Sequence, residues 1–116
     1  MFLAMMCCQI LRNQEVAIND LLCDAITQKK CVSLHYNGHH RIVEVHAVGY
    51  GARTVNILLR CYQIFGGSES NEPEGWKLMH VNKISNCFIT AKNSQAPRPE
   101  YKSNDQRMAG GIICQV

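Results

Sequence analysis

The pair Asn37-Gly38 constrains this chain more than any other two adjacent residues. Both positions tolerate positive φ, so the pair suits the two-residue type I′ turn that joins antiparallel strands. With these residues as the loop, Tyr36 faces His39, Leu34 faces Arg41 and Val32 faces Val43. Alternation then places Val32, Leu34, Tyr36, Val43 and Val45 on one face, which should meet the core. Ser33, His35, Ile42, Glu44 and His46 line the other. Arg41 ends the apolar face, where a guanidinium needs a carboxylate or a route to water.

The rest of the chain supplies partners for this hairpin. Residues 19–30 predict a helix, capped by Asn19 or Asp20, with Leu21, Leu22, Ala25 and Ile26 as its apolar stripe. Residues 49–53 predict a turn, and residues 54–65 a long strand. Val55, Ile57, Leu59, Cys61 and Phe65 alternate on one face of that strand, and Leu58, Arg60 and Tyr62 share the other. A Gly/Ser/Glu/Pro loop follows, then an extended stretch from Trp76 to Val81 and another from Ile84 to Thr90. Residues 91–107 are polar, carry Pro97 and Pro99, and predict an excursion before a last strand near the C-terminus. The expected architecture is mainly β with one N-terminal helix (α+β). Residues 1–18 form an apolar leading segment for packing or oligomer contact, residues 19–90 the domain, and residues 91–116 an excursion and final strand of the same domain.

At 116 residues the chain supports one core. Its net charge is +3, and the basic residues are spread out rather than gathered into a face for duplex nucleic acid. The seven cysteines are odd in number and include no Cys-x-x-Cys pair. Cys23, Cys31, Cys61, Cys87 and Cys114 lie in apolar surroundings and read as small core side chains in a reducing cytoplasm. Residues 1–11 lack the basic start and small-residue cleavage site of a secretory leader, and no stretch is long enough to span a bilayer. His35 and His40 should be cross-strand neighbours while His39 points away, so no metal site or cofactor is expected. Ser68, Ser70 and His80 form no nucleophile–base–orienter set by spacing, and an enzyme is not expected.

The chemistry concentrates in residues 60–84. Arg60 and Tyr62 share a strand face, a guanidinium beside a phenol, which can hold a phosphate and stack on a base. The alternative is structural, with Arg60 pairing with Glu44 and Tyr62 covering a sheet edge. Trp76 is either a stacking platform or the cap of a small core. Gly66 and Gly67 could present N–H groups to an anion, but Glu69, Glu72 and Glu74 crowd the same loop and repel phosphate. The Gly-Lys-Ser/Thr ending of a P-loop is missing.

Tyr36-Asn37-Gly38-His39-His40-Arg41-Ile42-Val43-Glu44-Val45-His46, preceded by Ala25-Ile26 and followed by Lys77-Leu78-Met79-His80-Val81-Asn82-Lys83-Ile84, resembles the WYL domain over roughly residues 20 to 90. Tyr62-Gln63 and Gly75-Trp76-Lys77-Leu78 are similar to small stand-alone WYL-like proteins of bacteria and their phages. There are departures. Val45 stands where the motif has Pro, Ile57-Leu58-Leu59 where it has Trp-Tyr-Leu, and Lys77, Met79 and Lys83 where it has Arg, Phe and Arg. Lys lacks the bidentate fork of Arg, which weakens the inherited ligand site more than the fold. The resemblance implies a small Sm/SH3-like β-barrel. It also implies a ligand-sensing module, in a regulatory or phage-defence setting, for nucleotides or single-stranded nucleic acid held in a basic groove. Arg41 and Lys77 match motif positions and would neutralise phosphate; Arg60, Tyr62, Trp76 and His46 complete the candidate set. The alternative is a homo-oligomeric assembly subunit with no small ligand.

Overall fold

A computed structural model of the chain describes residues 2–68 and 72–116, with the backbone alone for residues 2–12. The hairpin forms in the expected register. β1 (Lys30–Tyr36) and β2 (His39–Tyr50) pair antiparallel, with Val32 opposite Val43, Leu34 opposite Arg41 and Tyr36 opposite His39. Asn37 (φ 49°) and Gly38 (φ 78°) both hold the positive φ that the turn demands. β3 (Ile57–Gly66), β4 (Gly75–His80), β5 (Ile84–Asn93) and β6 (Gly111–Gln115) complete a six-stranded antiparallel sheet of order β4-β3-β2-β1-β5. The long β2 uses one edge twice, pairing with β1 through residues 39–43 and with β6 through residues 47–50. The sheet does not close: among the described residues, β4, β5 and β6 each pair with a single neighbour.

Two bulges decide which side chains face which way. Ile42 pairs with Phe65 but Val43 pairs with Gln63, so Ile64 is an extra residue. It turns Phe65 away from the core face that Leu59 and Cys61 share, and Phe65 is 57% exposed. Simple alternation had kept Phe65 inside. Val45 pairs with Cys61 but Ala47 pairs with Arg60, so His46 is the second extra residue. From there Ala47 faces outward and Val48 inward, reversing the earlier parity. Gly66 (φ 118°) lies so close to β2 that a Cβ would overlap the His40 carbonyl.

The strand over residues 54–65 is shorter than expected. It starts at Ile57, and Val55 stands in solvent. β2 instead runs on through Tyr50, and the Gly51 N–H closes the turn onto the Asn56 carbonyl (3.0 Å). The helix is longer than its capping signal implies. α1 runs unbroken over Phe2–Gln28, because no Gly or Pro interrupts it, and Asn19 is buried mid-helix rather than capping. Lys29 (φ 57°) ends it, donating its N–H to the Ile26 carbonyl. The expected packing of residues 1–11 concerns side chains outside the described residues.

Leu22 and Ala25 of α1, flanked by Ile18, Leu21 and Ile26, pack on Val32, Leu34, Val43, Val45, Leu59, Cys61 and Met79 to form the main core. A second cluster of Ala47, Leu58 and Met108, with Leu78, Tyr101 and Ile112 against it, lies on the other side of the sheet. Cys23 of α1 and Cys114 of β6 are joined by a disulfide, which corrects their reading as thiols. The thiol count therefore no longer supports a reducing compartment. No helix among the described residues is long and apolar enough to cross a membrane.

Candidate binding cleft under a strap

Residues 94–107, the polar Pro-containing stretch, cross the sheet on the side away from α1 and form a strap. Two β2 side chains pin it. Glu44 is buried; its Oε1 accepts from Arg98 Nε (2.7 Å) and its Oε2 from the Gln95 N–H (2.6 Å). His46 is wholly buried, and its Nε2 lies 3.0 Å from the Arg98 backbone nitrogen. That nitrogen can only donate, so Nε2 is the acceptor. Nδ1 therefore carries the proton and donates to the Glu44 carbonyl (3.0 Å). Burial lowers the His46 pKa below its ordinary value, outweighing the Glu44 carbonyl and carboxylate, which favour the charged ring.

Aromatic rings and an ion pair continue the contact. The His46 ring sits 4.6 Å from Trp76 and 5.1 Å from Tyr101. Trp76 stacks toward Tyr101 at 6.3 Å with planes 26° apart, and meets Tyr62 edge-on at 5.5 Å. The Arg98 guanidinium lies 4.0 Å over the Tyr62 ring. Arg60 Nε donates to Asp105 Oδ2 (2.6 Å), and the Arg107 N–H donates to Asp105 Oδ1 (2.9 Å). Burial opposes the Asp105 charge. The Arg60 hydrogen bond, the Arg107 N–H and the charges of both arginines outweigh it and hold the carboxyl below its ordinary value.

Arg60 thus pairs with Asp105, not with Glu44, whose partner is Arg98. Asp105 engages Nε, and among the described residues no hydrogen bond reaches the terminal guanidinium nitrogens of Arg60. Arg60 lines an open cleft of about 520 Å³ together with Trp76, Glu100, Tyr101, Lys102, Asp105 and Arg107, among others. The size lies in the usual range for small-ligand sites. The lining combines two aromatic rings with three cationic and two acidic side chains.

Of the sequence candidates, Arg60 and Trp76 line the cleft, while Tyr62 and the buried His46 support it through their contacts with Trp76. Arg41 and Lys77 do not converge with them. Arg41 is buried at the end of the core face, donating to the Tyr36 carbonyl (3.1 Å) and Gln63 Oε1 (3.4 Å) with its guanidinium 5.2 Å from the Tyr36 ring centroid. Gln63 in turn donates to the Gly67 and Pro73 carbonyls. Lys77 donates to Ser68 Oγ (3.1 Å) and the Glu72 carbonyl (2.8 Å). Both cations therefore stand on the side of the β3–β4 loop, and the loop is braced from within. Glu69, one of its glutamates, is outside the described residues.

Spacing arguments missed Arg98, Tyr101, Lys102, Asp105 and Arg107. The available signal was an aromatic and alternating charges inside a Pro-containing stretch too long for a plain connection. Burial pushes the Cys61 and Cys87 thiols up to about 12 and also raises Cys31, so these thiols stay protonated and poorly nucleophilic at neutral pH. Among the described residues no group of three or more His, Cys, Asp or Glu side chains could hold a metal ion. Comparison with protein-family models, with curated proteins and with solved structures returns no match.

Proposed function

We propose that the chain is a non-enzymatic, WYL-like binding module whose cleft takes a nucleotide or a short single strand of nucleic acid. The observation that carries this reading is the cleft lining, where Trp76 and Tyr101 stand among three cations, Arg60, Lys102 and Arg107, against two carboxylates, Glu100 and the Asp105 already paired with Arg60. Phosphate answers to the cations and a base to the rings. The sequence of hairpin residues 36–46 carries the resemblance to the WYL domain, and on this reading the open six-stranded sheet is an unclosed form of the small Sm/SH3-like barrel. The ligand site is shifted from the motif cations Arg41 and Lys77 to the strap side. Titration of labelled single-stranded oligonucleotides and of ATP at low and moderate salt tests it. Binding should weaken as salt rises, and Trp76→Ala or Arg107→Ala should weaken it about fivefold or more. No binding at low salt, or binding indifferent to both substitutions, overturns the reading.

A second reading, a homo-oligomeric assembly subunit, is favoured by a different surface. Phe88, Ser33, Ile42 and Phe65 are consecutive cross-strand partners on the outward face that the strap leaves uncovered. Phe65 and Phe88 are each 57% exposed. Light scattering should report a dimer or larger, reduced by Phe65→Ser with Phe88→Ser; a monomer at high concentration removes this reading.

A further inference from the structure

We propose that His46 is a pH-sensitive latch for the strap: gaining a proton at Nε2 releases residues 95–101 from the sheet and dismantles one wall of the cleft. The geometry carries the argument. Nε2 faces a backbone N–H of Arg98, and Nδ1–H is already committed to the Glu44 carbonyl. An imidazolium donates at both nitrogens and accepts at neither. The added proton, taken from solvent, would point at the Arg98 N–H, and a wholly buried ring has no water to turn to. The ring and the strap backbone must then part.

The groups around His46 define how far the latch can act. On β2 itself Glu44 places its carboxylate on Arg98 and Gln95, a second pin that favours a nearby cation. The strap contributes the Arg98 guanidinium, which disfavours one, and the Tyr101 phenol. Across on β3, Arg60 is the pairing partner of Ala47, next to the bulge, and Tyr62 is that of Glu44. β4 presents the non-titrating Trp76, and the Val116 N–H donates to the His46 carbonyl (2.9 Å). Glu44 and Arg98 are a matched pair at the same place, so their fields largely oppose each other. The unmatched element is the Nε2–Arg98 hydrogen bond, available only to the neutral ring. Because Glu44 still grips Gln95, release takes the form of increased local opening, with the helix-side core left in place.

Amide hydrogen exchange of the full chain, without ligand, tests the latch at pH 7.5 and 5.5, expressed as protection factors so that intrinsic rates cancel. Protection at the Arg98 and Tyr101 amides should fall by up to about tenfold, the most that one proton can supply over the pH unit below the ordinary histidine value. Amides of β1 and β2 in the main core should keep theirs. In His46→Gln, which accepts a hydrogen bond without titrating, strap protection should not depend on pH over this range. Unchanged strap protection in the wild type, equal loss in the core amides, or a fall that persists in His46→Gln each overturns the proposal. Should His46→Gln fail to fold, nitrogen chemical shifts of the wild-type His46 ring decide. A ring midpoint matching that of the strap amides supports the latch, and separate midpoints refute it. No ligand enters these measurements, so their outcome is independent of the binding reading.

Discussion

The helix side and the strap side of the same sheet are stabilised by different means. On the helix side, Leu22, Ala25, Val32, Leu34, Val43, Leu59 and Met79 are almost wholly buried and mostly apolar. That layer is held by water exclusion and close packing, which are non-directional and insensitive to pH. On the strap side the buried residues include Glu44 and His46, and the covering segment is attached by named hydrogen bonds to Gln95 and Arg98. Such contacts are directional, and each depends on a charge or a tautomer. The apolar layer fixes the fold, while the polar layer sets the position of a segment that lines the cleft.

The largest test of this contrast is on the helix side. Replacing both Cys23 and Cys114 by Ser removes a cross-link spanning 91 residues of sequence. The loop-entropy model puts the loss at about 4.6 kcal/mol. Denaturant unfolding should show that loss while strap protection relative to the core is unchanged. A loss confined to the strap would break the comparison.

Arg98→Ala comes next. It leaves the Glu44 carboxylate buried with the Gln95 N–H as its remaining partner, a change expected to cost about 3 kcal/mol. The effect should appear first as strap opening, read by limited proteolysis within residues 94–107, with α1 still packed. A second substitution, Glu44→Gln, should recover part of the loss by removing the stranded charge; no recovery would argue that Arg98 acts through its stacking on Tyr62 instead.

The smallest effect is the pH dependence of global stability. The His46 pKa is lowered in the folded state by burial, so the unfolded chain binds the proton more readily. Its contribution is complete above the unfolded value of 6.5 and is lost as pH falls from there toward the folded pKa. Unfolding at pH 7.5 and 5.5 should differ by at most about 1.4 kcal/mol on this account, and His46→Gln should remove that part. A helix-side substitution such as Leu59→Ala should lower stability at both pH values by the same amount.

The hairpin was legible because its determinants are adjacent. Asn37-Gly38 sets the turn, the turn sets the register, and period two sets the face, so Val32, Leu34, Val43 and Val45 were assigned to the core from their spacing. The stripe of Leu22 and Ala25 was legible for the same local reason. Parity failed where a bulge intervened. Ile64 and His46 each add one residue to a strand, and nothing in their identity announces it, because a bulge answers to the partner strand as much as to its own residue. Phe65 changed sides as a result. The start of α1 was missed because Asn19 has the chemistry of a cap, yet helix propagation through residues free of Gly and Pro overrode it.

Sequence alone thus determined an antiparallel β domain with one helix, the hairpin register and the placing of Arg60 and Tyr62 on one strand face. All of these follow from interactions within a few residues of chain or from the periodicity of a single element. Tertiary structure decided what the charged and aromatic side chains do. Arg41 went to the Tyr36 carbonyl and Gln63, Lys77 to the β3–β4 loop, Arg60 to Asp105 across 45 residues of sequence, and Glu44 to Arg98 across 54. A buried charge is stable only beside a partner of opposite sign or a matching hydrogen bond, and which partner arrives depends on where a distant segment is laid down. That the polar stretch over residues 94–107 lies across Glu44 and His46, making the cleft and its latch together, is a property of the folded chain.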